Sequence, residues 1–367
     1  MTEGNIDKRL GDKNNRLSEA VRLAKLWKEQ SKGRKATIND IAKIAGVSKK
    51  TISRIINDSP SVSETTRSAV KEIMNDLGYI PNPQARGLNF SHAFLIGLIY
   101  DNPNPQYVVT SQEGMLDVLK PTEYELLVHP CDRAAPDFIE KIRDFIQRQR
   151  LYGVVLTPSV SEDEALAAML QDIECRHIRI ASVELGKPEH MLVTHDAVGA
   201  QQAARHLIEL GHKTIGYLSG RPSFRSSQER QRGLEAGLAA VNLSLDPHYI
   251  VEGDYKFESG LSAVEKFFDL PVPPTAVFCA NDQMAAGFLQ GLRLSGRRAP
   301  DDISVVGYDD FRVAQNVWPR LTTIHTPTLE FARIAAYRLL EKPIPENLQD
   351  YKAPWLVVRD STGAPRI

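Results

Sequence analysis

The strongest constraint on the fold is an alternation, beginning at Phe94, of short apolar runs with segments of helical periodicity. The apolar runs read FLIGLIY, YELLVHP, YGVVLTP, IRIASVE, MLVTHD, TIGYLSG, AVFCAND and ISVVGYDD. Continuous apolar strands are typical of parallel sheets covered by helices on both faces, and the segments between them, such as GAQQAARHLIEL, can supply the crossover helices. The sequence therefore predicts an α/β fold built from doubly wound parallel sheets.

The length of this alternating region predicts more than one sheet. Residues 93–367, here called the body, exceed the usual size of a domain, so we expect two doubly wound subdomains. We expect the first to combine roughly residues 93–190 with 328–353, and the second 191–327 with 354–367. Ligands of such sheets bind at the carboxyl ends of the strands. The polar residues at these ends are Asp101, Asp196, Asn281, Asp282, Asp309 and Asp310.

Before the body, residues 36–82 have the pattern of three short helices around one small core. We call this segment the headpiece, residues 1–35 the extension and residues 83–92 the hinge. Each predicted helix has a capping residue at its start, and two helices end at a glycine. The capping residues are Thr37 (with Asp40 as its capping-box partner), Ser48 and Ser63, and the glycines are Gly46 and Gly78.

The second predicted helix of the headpiece has two chemically different sides. One side carries Lys49, Lys50, Ser53, Arg54 and Asn57, and the other carries Ile52, Ile55 and Ile56. Two helices joined by a glycine turn, with polar side chains on the second, are typical of a helix-turn-helix, whose second helix fits the DNA major groove. The alternative is an ordinary solvated helix on the surface of a small bundle.

The charge of the chain is unevenly distributed. Residues 1–92 contain 17 Lys and Arg against 10 Asp and Glu, whereas the remainder contains 28 against 36. A basic N-terminal region on an acidic body favours contact with a polyanion, although a solvated tail would have the same composition.

Several other classes of protein are disfavoured. Cys131, Cys175 and Cys279 are far apart, which fits buried thiols in a reducing compartment better than disulfides. We see no secretory signal and no apolar run near the roughly 20 residues of a membrane span, so we expect a cytoplasmic protein without a membrane partner. The sequence contains no P-loop, no G-x-S-x-G elbow and no H-E-x-x-H motif, and we expect no enzyme, metal or cofactor.

The order of these pieces resembles the LacI/GalR family of transcriptional regulators. The similarity lies in ATINDIAKIAGVSKKTISRIINDSPSVSETTRSAVKEIMNDLGYIPNPQARGL, ELGHKTIGYLSG, ANDQMAAGFLQGLRLSGRRAPDDISVVGYDD, PRLTTIHTP and VVRDSTGAP. It covers about residues 36–363, whereas the extension departs from the family pattern.

The resemblance implies that the headpiece and hinge bind DNA. It matches Leu88 to a hinge leucine that wedges into the minor groove, which bends the duplex. A homodimer is then expected to read a near-palindromic operator. The implied DNA-binding residues are Thr37, Ser48, Lys49, Lys50, Thr51, Ser53, Arg54, Asn57 and Leu88.

The resemblance also implies a body like that of periplasmic sugar-binding proteins, closing on a small effector. The implied effector-binding residues are Asp101, Arg230, Tyr255, Asn281 and Asp309. Carboxylate, amide and guanidinium groups suit the paired hydroxyls of a sugar. We therefore expect a ligand-responsive, sequence-specific transcriptional regulator, a repressor of carbohydrate-utilisation genes that is controlled by a small sugar. The alternative is a solute-binding protein with a similar body and no role on DNA.

Overall fold

The computed structural model describes residues 23, 26, 27, 31, 34–56, 59–79, 93–349 and 353–366. The chain divides into two units, Met1–Ser91 and His92–Ile367. The hinge, Asn57 and Leu88 lie outside the described residues, as does most of the extension.

The headpiece contains three helices: α1 (Ile38–Ile44), α2 (Lys49–Ile56) and α3 (Glu64–Asp76). Helix α1 begins with the predicted capping box. The Thr37 amide donates to Asp40 Oδ2 at 2.8 Å, and the Asp40 amide donates back to Thr37 Oγ1 at 3.4 Å. These two bonds satisfy backbone donors that the first turn of a helix leaves open.

The other two predicted caps have different outcomes. Ser48 Oγ accepts a hydrogen bond from the Thr51 amide at 3.0 Å, so the cap of α2 is confirmed. Ser63 does occupy the position before α3, but its side chain makes no capping hydrogen bond. Its hydroxyl lies 2.9 Å from the Thr66 hydroxyl instead, so the predicted side-chain cap is wrong.

The headpiece helices enclose one apolar core. The buried residues are Ile41, Ala42, Ile52, Ile55, Val70, Ile73, Met74 and Leu77. The isoleucines predicted on the apolar side of α2, Ile52, Ile55 and Ile56, lie in this cluster or against it. Met74 and Trp27, which also packs against the core, were not predicted.

The body contains two sheets. The first has the strand order β2-β1-β3-β4-β5, all parallel. Its strands are β1 (Leu95–Tyr100), β2 (Glu125–Pro130), β3 (Gly153–Leu156), β4 (Arg176–Ala181) and β5 (Met191–Val193). The second has the order β11-β10-β9-β8-β6-β7 and is parallel except for the β10–β11 pair. Its strands are β6 (Ile215–Ser219), β7 (Ile250–Glu252), β8 (Ala276–Cys279), β9 (Ser304–Asp309), β10 (Thr322–His325) and β11 (Trp355–Val357).

Helices cover both sheets and make the crossovers. They are α4 (Pro105–Leu119), α5 (Phe138–Gln149), α6 (Glu164–Asp172), α7 (Asp196–Glu209), α8 (Arg225–Ala239), α9 (Phe257–Phe268), α10 (Asp282–Leu294), α11 (Arg312–Asn316), α12 (Thr328–Leu339) and α13 (Glu346–Gln349). Three single turns of 3₁₀ helix precede α6, β5 and β7. The predicted α/β class with doubly wound parallel sheets is confirmed.

Each sheet with its helices forms one lobe of the body. Strand β5 pairs with β4, so the first sheet extends to Val193. The expected subdomain bounds stay predictions. Helix α12 returns to the first lobe and packs against α4. Gly114 allows this close contact, since a Cβ at this position would collide with the Leu329 carbonyl.

Helix α3 ends in a glycine-dependent turn. The Gly78 amide donates to the Asn75 carbonyl at 3.0 Å, and the Tyr79 amide donates to the Met74 carbonyl at 2.8 Å. This is the Schellman arrangement, which requires the left-handed φ of +60° found at Gly78.

Replacing Gly78 with alanine should therefore destabilise the headpiece through the backbone alone, since no atom lies within 4 Å of the added Cβ. We expect a loss of about 1–2 kcal/mol, measured by amide hydrogen exchange of α3. Ser68→Ala, on the exposed side of α3, is the control and should change the exchange little. Equal exchange in the two variants would contradict the assigned turn.

Candidate functional site

The headpiece presents an exposed cationic face on α2. Lys49, Lys50 and Arg54 are exposed, whereas Ile52 and Ile55 on the opposite side are buried. Among the described residues, none forms an ion pair or a side-chain hydrogen bond with these three cations. The face can therefore meet a polyanion without first breaking contacts within the protein.

The other predicted DNA-binding residues differ in their freedom to reach a partner. Thr51 and Ser53 are half-buried on α2. Thr37 and Ser48 are exposed, but their hydroxyls already take part in the caps of α1 and α2. Asn57 and Leu88 lie outside the described residues, so their roles stay predictions.

A second candidate site is a cleft in the body. The empty space between its walls is about 510 Å³, which includes open solvent. Its walls come from the carboxyl ends of strands in both sheets and from the loops that follow them. The lining residues are Asn102, Asn104, Tyr107, Pro158, Thr194, Asp196, Phe224, Ser226, Arg230, Tyr255, Asn281, Asp309 and Thr326.

Arg230, on α8, is the electrostatic centre of the cleft. Its Nε donates to Asp196 Oδ1 at 2.8 Å, and its Nη2 lies 3.5 Å from Asp309 Oδ1. Its Nη1 donates to the Ala280 carbonyl, and its guanidinium carbon lies 3.7 Å from the centre of the Tyr308 ring. A buried cation with these partners is fully compensated.

Aromatic rings form an apolar wall beside these charges. The rings of Phe224 and Tyr255 stack with centroids 5.7 Å apart, and the Tyr255 hydroxyl lies 3.2 Å from Ser226 Oγ. An aromatic face of this kind can cover the apolar C–H side of a sugar ring. The cleft thus offers both an apolar surface and polar groups to a ligand.

Two cleft residues have backbone conformations that non-glycine residues rarely adopt. The φ angles are +69° at Tyr255 and +107° at Asp309. Strain of this kind persists where the surrounding structure holds a residue in place, and it concentrates at ligand sites.

Burial controls the ionisation of Asp309. Removal from water raises its pKa to about 7, and the nearby carboxylate of Asp196 also raises it. The Arg230 guanidinium and a hydrogen bond from Asn104 Nδ2, at 3.5 Å, act in the opposite direction. Asp309 can therefore change its charge near neutral pH.

The structure brings four of the five predicted effector-binding residues together. Arg230, Tyr255, Asn281 and Asp309 line the cleft, but Asp101 is not among its lining residues. The loop after β1 turns Asn102 and Asn104 towards the cleft instead. A role of Asp101 in effector binding stays a prediction.

Asn281 has a structural task as well as a place in the cleft. Its Oδ1 accepts from the Met284 amide at 2.9 Å and caps α10, while its Nδ2 donates to the Tyr255 carbonyl at 2.9 Å. Only its remaining hydrogen-bonding capacity is available to a ligand.

Sequence reasoning gave too little weight to two acidic residues. Asp196 was recognised only as a strand-end residue, yet it is the closest ionic partner of Arg230. Glu162 lies behind the cleft, where its Oε1 accepts from the Ser182 amide at 3.1 Å and burial raises its pKa. The position of Asp196 directly after MLVTH was the available signal.

No group of three or more His, Cys, Asp or Glu side chains in the described part of the chain is arranged to hold a metal ion. No helix among the same residues combines the length and apolarity needed to cross a bilayer.

Comparison with protein-family models gives two matches. The model described as bacterial regulatory proteins, lacI family, matches residues 37–82. The model described as a periplasmic binding protein-like domain matches residues 204–362.

Curated relatives match most of the chain. The probable HTH-type transcriptional repressor ExuR of Bacillus subtilis (strain 168) is 33% identical over 313 residues, which are 83% of this chain and 90% of that protein. The HTH-type transcriptional repressor PurR of Vibrio vulnificus (strain CMCP6) is 31% identical over 338 residues, which are 89% of this chain and 98% of that protein.

Two solved structures also match most of the chain. The lac repressor dimer bound to operator and the anti-inducer ONPF matches with a TM-score of 0.73 and 28% identity, covering 90% of this chain and 100% of that one. The complex of the transcriptional regulator CelR with cellobiose matches with a TM-score of 0.64 and 28% identity, covering 89% and 99%.

The charge of Arg230 should control the pKa of Asp309. Replacing Arg230 with glutamine removes the main charge that lowers the pKa of Asp309, so this pKa should rise above about 7. A carboxyl-carbon NMR titration of Asp309 measures the change. Arg232→Gln, on the same helix with a largely exposed side chain, should leave the titration where it was. A lower pKa in the Arg230 variant would contradict the assigned contact.

Proposed function

Because this chain belongs to the lacI family of bacterial regulatory proteins, we propose that it represses transcription by binding a near-palindromic operator as a homodimer. A small sugar in the body cleft controls this binding. The protein works in the cytoplasm, where its operator is, and no catalytic step is assigned to it.

The observation that carries the proposal is the exposed cationic face of α2. The isoleucines of α2 pack into or against the headpiece core, so Lys49, Lys50 and Arg54 are exposed on the opposite side of the helix. Such a helix fits the major groove, where an arginine can donate two hydrogen bonds to one guanine. We assign base reading to Arg54, and phosphate or guanine contacts to Lys49 and Lys50.

The proposed DNA-binding set also includes Thr37, Ser48, Thr51, Ser53, Asn57 and Leu88. The hydroxyls at the starts of α1 and α2 can contact phosphates, since helix N-termini attract anions. Leu88 is assigned the minor-groove wedge on the family resemblance.

The alternative, a solute-binding protein with no role on DNA, does not account for the headpiece. A protein that binds only a solute would not need a segment that matches the lacI family model at residues 37–82. It would not need the exposed cations of α2 either. Operator affinity should fall steeply with salt concentration, since Lys and Arg contacts to phosphates release counterions.

Arg54→Ala should relax base preference at one position in each half-site, at a cost of about 1–3 kcal/mol for the preferred base. Operator variants with single base changes, compared by gel shift, measure this. Lys50→Ala should weaken binding to all operator variants by a similar factor, and it should reduce the salt dependence of binding. Lys71→Ala, an exposed cation on α3, is the control. An Arg54→Ala protein with an unaltered base preference would refute the base-reading role.

For the cleft, we assign effector binding to Arg230, Asp309, Tyr255 and Asn281, with Asn102 and Asn104 in the place expected for Asp101. Each sugar hydroxyl can donate to a carboxylate and accept from an amide. The single cation is already shared between two carboxylates, which favours an uncharged ligand over an anionic one.

Asp309→Asn should lower the affinity for the effector by about 10- to 100-fold, because the substitution removes a hydrogen bond to a charged group. Asp101→Asn makes the same chemical change outside the cleft lining and should leave effector binding unaltered. A gel-shift titration with a panel of neutral sugars measures both. If Asp101→Asn weakens the response and Asp309→Asn does not, the cleft assignment is wrong.

A further inference from the structure

The cleft of the body holds more negative than positive charge. The carboxylates of Asp196 and Asp309 line it, and that of Glu162 lies behind it; these residues are 3%, 6% and 7% exposed. Among the described residues that line the cleft, Arg230 carries the single positive charge. Three buried carboxylates against one guanidinium leave negative charge that the protein does not compensate, and buried charge without a partner is costly.

Two arginines on neighbouring loops and strands are already paired with other acids. Arg179, on β4, donates to Glu164 Oε1 at 3.0 Å, and Arg359 donates to Asp310 Oδ1 at 2.5 Å. Asp282 is a further buried acid of the second lobe, and burial and the Asp309 carboxylate raise its pKa well above the usual range. None of these groups brings positive charge to the cleft.

Two more arginines flank the lining residue Phe224 in the sequence. Arg225 is exposed, and Arg221 is half-buried with its guanidinium carbon 5.8 Å from the centre of the Phe224 ring. Neither arginine lines the cleft. Water and salt screen exposed charges, so these two compensate the buried carboxylates only weakly.

Asp309 has the weakest contacts of the two carboxylates in the cleft lining. Its Oδ1 lies 3.5 Å from Arg230 Nη2, and its Oδ2 lies 3.5 Å from Asn104 Nδ2. Both distances exceed the roughly 2.7–3.2 Å of ordinary N–H···O hydrogen bonds. The oxygens of Asp196, in contrast, accept from Arg230 Nε at 2.8 Å and from the Thr194 hydroxyl. Asp309 can therefore accept a closer donor from a ligand.

The ionisation of these acids agrees with an excess of negative charge. Burial raises the pKa of Asp309 to about 7 and also raises the pKa of Glu162, and the Asp196 carboxylate adds to both shifts. Burial raises the pKa of Tyr107, which lines the cleft, and the three carboxylates raise it further. The negative charges thus act on the cleft itself, and a positive charge placed there would favour the ionised acids.

The rest of the lining suits an organic cation that also carries hydroxyl groups. The rings of Phe224, Tyr255 and Tyr107 lie in the cleft walls. Aromatic rings attract ammonium groups and also cover the C–H side of a sugar ring. The side-chain amides of Asn102 and Asn281, which line the same cleft, can pair with sugar hydroxyls.

We propose that the effector is an amino sugar, whose ammonium group donates to Asp309 while its hydroxyls bind the amides of the cleft. The inference rests on the proposed control of operator binding by a sugar. A hydrogen bond to a carboxylate is shorter and stronger when its donor is also charged, so the ammonium group is preferred over a hydroxyl at the same place. If Asp309 took up a proton instead, a neutral sugar would be preferred.

The first experiment compares matched pairs of sugars by calorimetric titration into the full-length chain at pH 7. The pairs are glucosamine with glucose, galactosamine with galactose, and mannosamine with mannose. The best amino sugar should bind about tenfold tighter than its neutral partner. A neutral sugar that binds as tightly as its amino partner, or tighter, would overturn the inference.

The second experiment measures the same affinity ratio in variants. Asp309→Asn should remove most of the preference for the amino sugar. Glu162→Gln should reduce the preference as well, because the Glu162 carboxylate attracts the ammonium group through the low-dielectric interior. A partly unfolded variant would lower the binding of both sugars alike and leave their ratio unchanged. An unaltered ratio in Asp309→Asn would therefore contradict the assigned contact.

The matched control for these variants is Glu209→Gln. Glu209 is exposed at the end of α7, whose first residue is Asp196, so it lies roughly 20 Å along the helix from the cleft. The substitution removes the same charge as Glu162→Gln, and it should keep the affinity ratio. An equal fall of the ratio in both variants would show that overall charge, and not the cleft, sets the preference.

A crystal structure with the tightest-binding amino sugar locates the ammonium group. Its nitrogen should lie within about 3.2 Å of a carboxylate oxygen of Asp309. A nitrogen that contacts only solvent would overturn the inference.

The possible results separate this inference from the proposed function. If neutral sugars alone bind and change operator affinity in a gel shift, the amino-sugar inference is overturned and the proposed function stands. If no sugar of the panel binds, the proposed control by a sugar fails, and the inference fails with it.

Discussion

The body is organised around one buried cation. The guanidinium of Arg230 can stay charged out of water only because Asp196, Asp309 and the Ala280 carbonyl surround it and the Tyr308 ring covers it. These groups lie at or just after the ends of β5, β8 and β9, so the side chain of Arg230 holds the ends of three strands together. Removing one partner of such a buried pair leaves an uncompensated charge and costs about 3–5 kcal/mol.

Much of the fold could be predicted because most strands are continuous apolar runs. Strands β1, β3, β8 and β9 are almost entirely buried, which leaves a clear signal in the sequence. The strands β7, β10 and β11 were not predicted as strands. Strands β7 and β11 are only partly buried, and β10 begins with two threonines, so none of the three stands out as a buried apolar run. The antiparallel direction of β11 depends on the return of the chain from α12, which no local pattern encodes.

The site was less predictable than the fold. Arg230 and Asp309 could be found because family motifs fix their positions. Asn102 and Asn104 were not predicted to line the cleft, because the strand pattern gives the end of β1 but not the direction of the following loop. In that loop Asn104 caps α4, with its Oδ1 accepting from the Gln106 amide at 3.1 Å, and this cap turns the residue towards Asp309. Capping geometry of this kind depends on tertiary contacts.

The proposed function requires that the cleft and the headpiece be coupled. An effector can change operator binding only by binding the two states with different affinity, and the coupling must be reciprocal. The most direct measurement is calorimetric titration of the effector sugar into the protein with and without saturating operator DNA. The account predicts that operator changes effector affinity by the same factor by which effector changes operator affinity. An effector affinity that is identical with and without operator would contradict it.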